Sequence, residues 1–594
     1  MTSVGQVPAW ADAQHNVIPG RAEALKFLYV TKMRFYTVKT IRKKSNSRIG
    51  VIWLIKVLVS VLLAYCNTAV TFAENNIVDN LQATQHDQAQ HSDNKLFQDL
   101  IQIDEQLLDI AETSLLIAKE GYSEIKIRDY VECIDWYARM IKARIMESDE
   151  PETIVNTINE FLFDELGFTY VQTGNLEDLY LNKVIDGRKG NCIGLSILYL
   201  SIAERLKLPL FGVNVPEHIF VRYDDGEQRI NIEMGHRGMS LSDTFYVTHS
   251  IERFDKKSVE DGCFLKNLNK KEVISNVFLN RSKIRREGGK HREALDDCNK
   301  AILLNSRNPG TYCNRGVIFE KKGMISEAIE NYSLAISLNH KYASAYYNRG
   351  SISGVKGEYG KAIEDFSEAI SINPVFTLSY FNRAIALKKM GEIEKAIQDY
   401  DKVIDIDPGH AQAYCNRGVA FAESGRHDNA INDFNKAIEL DPDLSDAYFA
   451  RAIFFVDTKK PKEAIEDFGK CISLSPNKTF AYYLRAKMYK EVGEAEKAIL
   501  DFNKAITILP SYAGLYTERG ILLLQTDRID EAITDFDKSL ELFPLNPVAF
   551  RFRGESFKKK GQFEKAIEDF KMFLEIAPEA PVADIIRDEI QELK

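Results

Sequence analysis

The sequence predicts a mainly α-helical protein in which an α+β domain is followed by an α-solenoid. Two observations predict this fold class. From about residue 275 to 580 the chain repeats one residue pattern every 34 residues, which is typical of helical hairpins that stack into a superhelix. Before the repeats, helical spacing of apolar residues gives way to two runs of alternating residues, which indicates a small sheet.

Small residues mark the same position in every repeat and allow two helices to approach closely. An alanine follows each of them twelve residues later, and proline closes seven of the nine units. This period and order of residue types resemble the tetratricopeptide (TPR) repeat. The small residues are Ser282, Gly316, Gly350, Ala384, Gly418, Ala452, Ala486, Gly520 and Gly554.

Two further columns of polar residues run through the repeats. An arginine precedes each small residue, from Arg281 to Arg553, and sixteen residues after each arginine stands an aspartate, or Asn331 in one repeat. This matching predicts an ion pair between the two helices of each repeat. An asparagine column in the first five repeats resembles the ladder that lines peptide-binding repeat grooves, because an Asn side chain can pair with any peptide bond. The predicted peptide-binding residues are Asn280, Asn314, Asn348, Asn382 and Asn416.

A cysteine, a histidine and a carboxylate occupy positions that suit thiol chemistry. Cys192 opens the stretch NCIGLSILYL, whose apolar residues predict a buried helix. At a helix N-terminus, unpaired N–H groups and the helix dipole favour a thiolate and can hold an oxyanion. Asp225-Gly226 predicts a two-residue turn, which would place His218 opposite Glu233 on paired strands. The three residues would supply a nucleophile, a base and an orienting acid.

The stretch from about Leu115 to Gly238 resembles the bacterial transglutaminase-like superfamily, in the branch that carries TPR repeats. The resemblance rests on LNKVIDGRKGNCIGLSILYLSIAERLKLPLFGVNVPEHIFVRY and on RINIE. It implies a papain-like core with a Cys-His-acid triad that maps to Cys192, His218 and Glu233. It also implies chemistry at an amide carbonyl, either hydrolysis or acyl transfer to an amine. The acid here is Glu, where the wider superfamily usually has Asp.

We therefore expect a cysteine peptidase or a transglutaminase-like acyltransferase to which the repeat groove presents a protein or peptide. The main alternative is a non-catalytic TPR scaffold for protein–protein interaction at the cell envelope, and a weaker one is an adaptor for glycosyl transfer. A metal site built from Cys192, His218, Glu233 and His236 is also conceivable, although this spacing matches no known ligand pattern. We expect no metal and no cofactor.

The amino-acid composition limits the kinds of molecule that we expect the protein to bind. The net charge of -10 argues against a nucleic-acid binder, since no basic surplus is available to neutralise phosphates. The eight cysteines are scattered singly, so neither a disulfide framework nor a zinc cluster is expected. The expected partners are proteins or peptides.

The segment Ile49–Tyr65 is the one stretch that we predict to enter a membrane, as a signal peptide or as a single anchor. Basic residues precede it and are rare after it, which predicts that the rest of the chain lies outside the cytoplasm. The predicted organisation is a basic N-terminal region at 1–48, the signal or anchor at 49–73, a polar linker at 74–94, the transglutaminase-like domain at 95–260, nine TPR repeats at 275–580 and a capping helix at 581–594.

Overall fold

The computed structural model describes residues 97–172, 175–250 and 252–594. These residues form two compact units, one that ends at Ser379 and one that runs from Tyr380 to Lys594. The transglutaminase-like region and the first three repeats share the first unit. The predicted segment Ile49–Tyr65 lies outside the described residues. Within them, each helix is too short or too polar to cross a membrane.

The first unit begins with helices that build most of its core. Residues 97–102 are helical. The following helices and a π-helical turn, which continues α3, surround the long buried helix α5. The surrounding elements are α1 (Ile110–Lys119), α2 (Ile127–Lys142), α3 (Pro151–Asn159), the π-helical turn Glu160–Glu165 and α4 (Leu181–Gly187), and the central helix α5 spans Cys192–Leu206. Helix α5 ends where Lys207 adopts a left-handed conformation, two residues before Pro209.

A four-stranded antiparallel sheet packs against α5. Its strand order is β5-β4-β3-β6, and a separate parallel pair joins β1 to β2. The last strand, β6, lies beyond residue 260, which is the predicted end of this domain. The strands are β1 (Thr169–Tyr170), β2 (Lys189–Gly190), β3 (Leu210–Val215), β4 (His218–Asp224), β5 (Arg229–Ile232) and β6 (Asn267–Leu268); the short helices α6 (Asp243–His249) and α7 (Lys256–Glu260) precede β6.

The hairpin between β4 and β5 differs from the prediction. Asp224 pairs with Arg229, so the loop has four residues and the predicted two-residue turn is wrong. The cause is the Asp225 carboxylate, which accepts hydrogen bonds from the backbone N–H groups of Glu227 and Gln228 at 2.9 and 2.8 Å. The register therefore shifts by two residues, and His218 is not the direct ladder partner of Glu233.

Eighteen helices in nine antiparallel pairs form the repeats, and a final helix follows them. Helices α8–α13 lie in the first unit and α15–α26 in the second, while α14 begins just before the boundary. The helices are α8 (Lys270–Glu287), α9 (His291–Leu304), α10 (Pro309–Lys321), α11 (Ile325–Leu338), α12 (Ala343–Val355), α13 (Tyr359–Ile372), α14 (Thr377–Lys389), α15 (Ile393–Ile406), α16 (Ala411–Glu423), α17 (His427–Leu440), α18 (Ser445–Asp457), α19 (Pro461–Leu474), α20 (Thr479–Glu491), α21 (Ala495–Ile508), α22 (Ala513–Gln525), α23 (Ile529–Leu542), α24 (Pro547–Lys559), α25 (Phe563–Ile576) and α26 (Ala583–Glu592).

The small residues permit the close helix packing that the sequence predicts. A Cβ atom on Gly418 would lie 2.9 Å from the Phe434 ring and 3.2 Å from the Ala430 carbonyl oxygen. The first contact is shorter than a Cβ atom normally makes and the second is tight, so glycine is favoured where the two helices of this repeat cross.

The predicted ion pairs are confirmed. Arg451, for example, binds both carboxylate oxygens of Asp467 at 2.7 and 2.8 Å and also donates to Asn435 of the preceding repeat at 2.6 Å. Arginines at this position therefore join the two helices of their own repeat, and six of them also donate to the preceding repeat: Arg315, Arg349, Arg417, Arg451, Arg519 and Arg553. The within-repeat pairs are Arg281–Asp297, Arg315–Asn331, Arg349–Asp365, Arg383–Asp399, Arg417–Asp433, Arg451–Asp467, Arg485–Asp501, Arg519–Asp535 and Arg553–Asp569.

Replacing Asp467 with alanine should weaken its repeat, because the largely buried Arg451 guanidinium then loses two charge-assisted hydrogen bonds. We expect a loss of about 2 kcal/mol in local stability, which corresponds to roughly 30-fold faster amide hydrogen exchange in α18 and α19. Glu439→Ala is the matched control, since it breaks the exposed pair with Lys436 and should leave exchange unchanged. Equal exchange rates in Asp467→Ala and the parent would contradict the structural role of the pair.

Candidate functional site

Cys192 is the first residue of α5, as predicted. Asn191 caps the helix, and its Oδ1 accepts hydrogen bonds from the N–H groups of Ile193 and Gly194 at 3.0 and 2.9 Å. The N–H of Cys192 donates to no acceptor among the described residues. The half-buried sulfur thus sits beside one unused backbone donor at the positive end of the helix.

His218 and Glu233 are in contact despite the shifted register. His218 Nε2 lies 2.7 Å from Glu233 Oε2. The same carboxylate accepts hydrogen bonds from the Tyr246 hydroxyl at 3.0 Å and from the Gly235 N–H at 2.9 Å. Since Nε2 is engaged with the carboxylate, Nδ1 is the ring nitrogen left to interact with Cys192, which lines the same cleft.

The three groups shift one another's pKa values toward the charged forms. Burial alone would raise the pKa of Cys192, but the hydrogen bond and charge of His218, with the N–H of Ile219, bring it below its usual value. Burial alone would lower the pKa of His218, yet its contacts with Cys192 and Glu233 raise it to about 10. The pKa of Glu233 is lowered, because the His218 and Gly235 contacts outweigh burial. The arrangement favours a thiolate–imidazolium pair over the neutral thiol and imidazole.

The turn before His218 fixes the position of the His218 imidazole ring. Val215 pairs with His218, so Pro216 and Glu217 form a two-residue connection in which Glu217 has a φ of 61°. A left-handed conformation is costly for a residue other than glycine. Two contacts from the repeats stabilise it here, because the Glu217 carboxylate pairs with Lys283 and accepts a hydrogen bond from the Tyr342 hydroxyl at 2.7 Å.

The cleft around Cys192 and His218 has one wall from the sheet and another from the repeats. The repeats contribute residues of α8, the start of α10 and Tyr342 just before α12. The cavity itself is about 20 Å³, which is room for about one water molecule. The polar residues that line it from the repeats are Asn276, Asn280, Lys283, Asn308 and Tyr342.

The asparagine column does not form the exposed ladder that the sequence predicts. Asn314, Asn348, Asn382 and Asn416 are buried. The reason is that this face packs on the preceding repeat: Asn314 Nδ2, for example, donates to Ser282 Oγ at 2.5 Å. Only Asn280 is partly exposed, and it lines the cleft. Peptide binding by the column stays a prediction.

The metal-site alternative finds no further support. His236 is exposed in the turn Met234–His236. Across the described ranges, we find no group of three or more His, Cys, Asp or Glu side chains placed to hold a metal ion.

Two residues of the site carry no signal in the sequence. Tyr246 binds Glu233 and stacks on Phe220 with ring centroids 4.1 Å apart. Asn214 lines the cleft from β3. Neither stands in a recognisable motif, and only the fold brings them to the site.

Comparison with known proteins identifies both parts of the chain. A family model described as the transglutaminase-like superfamily matches residues 128–277. Models of tetratricopeptide repeats match much of the C-terminal part, at 321–352, 343–376, 386–425, 411–444, 445–478, 481–512 and 517–581.

Relatives match parts of the chain. A UPF0162 protein from Xylella fastidiosa is 31% identical over 139 residues, which are 22% of this chain and 48% of that protein, so the chain spans about half of the length of this relative. F-box only protein 21 of Homo sapiens is 33% identical over 92 residues, 15% of either chain.

Solved structures match the repeats. The crystal structure of MamA has 30% identity, covers 27% of this chain and 94% of its own, and gives a TM-score of 0.26. A tetratricopeptide repeat protein from Parabacteroides merdae has 25% identity, covers 40% and 93%, and gives a TM-score of 0.35. The family matches and the fold together identify residues 128–277 as a transglutaminase-like domain, which a tetratricopeptide-repeat array follows.

Proposed function

We propose that this protein is a thiol enzyme that cleaves or transfers the acyl group of an amide in a protein or peptide. The observation that carries this proposal is the chain of contacts from Cys192 through His218 to Glu233, with 2.7 Å between His218 Nε2 and Glu233 Oε2. A nucleophile, a proton donor and an orienting carboxylate are the parts that such a reaction needs.

The reaction that we propose has two halves. The Cys192 thiolate attacks the amide carbonyl carbon, and the Cys192 N–H stabilises the oxyanion. The C–N bond then breaks, and imidazolium His218 gives its proton to the departing amine, which leaves a thioester on Cys192. Water or a second amine attacks the thioester carbonyl carbon, and neutral His218 takes up its proton. The C–S bond then breaks, which releases the acid or the new amide and restores the thiolate and the imidazolium.

The repeats support a role for a polypeptide substrate. Residues of α8, α10 and the α11–α12 turn line the cleft that holds Cys192. A segment bound by the repeats would therefore reach the sulfur directly, and binding energy from the repeats would orient the scissile amide. The scaffold alternative is weaker, because an idle domain has no need for a histidine whose pKa is raised beside a thiol.

Alkylation by iodoacetamide at about pH 6 tests the thiolate. Cys192 should react much faster than free cysteine, because its lowered pKa keeps the thiolate populated at a pH where an ordinary thiol is protonated. His218→Ala removes the stabilising charge and should slow the reaction by about tenfold or more. Cys133, another partly exposed thiol, is the internal control and should react equally in both proteins. A Cys192 rate equal to that of free cysteine would remove the proposed thiolate.

Carbethoxylation by diethylpyrocarbonate, which modifies the neutral imidazole ring, tests the charge on His218. At about pH 8 the parent His218 should resist modification, because its pKa of about 10 keeps it protonated. Glu233→Gln removes a contact that raises this pKa, so the residue loses charge at lower pH and should react several-fold faster. The exposed His249 should react alike in both proteins. Rapid modification of His218 in the parent would contradict the ion pair.

Reaction with p-nitrophenyl acetate tests acyl transfer itself. We expect p-nitrophenol release together with an acetyl adduct on Cys192 in the parent, and neither in Cys192→Ala. Added methylamine separates the two outcomes of the second half-reaction, because N-methylacetamide reports transfer and acetate reports hydrolysis. If Cys192→Ala releases p-nitrophenol as fast as the parent does, the scaffold is the better account of the protein.

A further inference from the structure

The cleft contains a buried polar side chain that the proposed reaction leaves unused. Asn214 is only 3% exposed, yet both its Nδ2 and its Oδ1 lack a hydrogen-bond partner among the described residues. Leaving a carboxamide buried and unpaired costs about 1–3 kcal/mol, and folded proteins contain few such groups. A group that enters from outside the chain would satisfy both atoms.

The register of the sheet places Asn214 beside Ile219, and both residues line the cleft that contains Cys192. Asn214 pairs with Ile219 across β3 and β4, and the Ile219 N–H is the backbone group that hydrogen-bonds to the Cys192 thiol. Directly opposed residues have Cβ atoms about 5 Å apart. The Asn214 side chain therefore lies in the same cleft as the reacting thiol.

The face of β3 that carries Asn214 looks toward helices α5 and α8. Gly212 lies two residues earlier on the same face, and a Cβ there would meet Val273 of α8 at 2.8 Å and Leu200 of α5 at 3.5 Å. Asn276 and Asn280 follow Val273 by one and two turns of α8, and both line the same cleft as Asn214. Carboxamides thus face the cleft from both the sheet and the first repeat.

We propose that Asn214 is a substrate-binding residue that recognises a neutral amide beside the scissile carbonyl, an inference that rests on the proposed function. A carboxamide offers one donor group and one acceptor, and an amide group of a peptide bond or of a glutamine side chain offers the complementary pair. The cavity holds about one water-sized group, so one polar atom of an amide can enter it. Nearby Lys283 is already paired with Glu217. The neutral carboxamide of Asn214, rather than this cation, is therefore available to bind the substrate.

Two alkylating reagents separate amide recognition from thiolate reactivity. In iodoacetamide the thiolate displaces iodide from a carbon next to an amide, whereas methyl methanethiosulfonate reacts with the same thiolate and carries no amide. Asn214→Leu should slow Cys192 modification by iodoacetamide about tenfold and leave modification by methyl methanethiosulfonate unchanged. Asn214→Ala should behave in the same way and guards against a fold defect caused by the larger leucine.

Ser196→Ala is the matched control. The Ser196 hydroxyl is also buried and unpaired within the described part of the chain, but it lies outside the cleft, so neither rate should change. Unchanged iodoacetamide rates in both Asn214 variants would overturn the proposal, and so would an equal slowing with both reagents. Slow reaction of the parent with methyl methanethiosulfonate would instead count against the thiolate and hence against the proposed function. N-methyliodoacetamide distinguishes the amide type, because a loss that also occurs with this reagent indicates a peptide bond rather than a primary carboxamide.

Discussion

The buried charge of Arg281 connects the first repeat to the transglutaminase-like domain, and the candidate site depends on that connection. The guanidinium is fully buried and binds Asp297 of its own repeat, Glu120 next to α1 and the Ile117 carbonyl oxygen. A buried guanidinium is stable only when its charge and its donors are all satisfied. These partners hold α8 against the domain, and α8 supplies one wall of the cleft.

The transglutaminase-like domain and the repeats therefore form the cleft together. The sheet and α5 bring the thiol, the imidazole and the carboxylate together, whereas the repeats supply Lys283 and Tyr342, which hold the turn before His218. A transglutaminase-like fold without its repeats would lack these contacts and would expose the cleft on one side. The division of the molecule follows this dependence, since the first compact unit contains both the domain and the first three repeats.

The structural features that the sequence predicts correctly are those that local residue patterns determine. The 34-residue period predicted the paired helices and their ion pairs, and the stripe after Cys192 predicted a helix that begins at the thiol. It did not predict what tertiary packing decides. The β4–β5 register depended on Asp225 side-chain hydrogen bonds that lengthen the loop, and the His218–Glu233 contact survives because Glu233 lies just beyond the end of β5. The asparagine column was expected to be open, because rotation about one helix does not show that the preceding repeat covers the same face.

The position of the cleft wall that the repeats form also limits which repeats can be gained or lost without altering the cleft. Each TPR repeat packs mainly on its neighbours, so units can be duplicated or deleted far along such an array with little effect on distant ones. The repeat residues that line the cleft come from the first repeat and from the starts of the next two, all before residue 343. Recombination can therefore alter the length of the distal array while the residues that line the cleft stay unchanged.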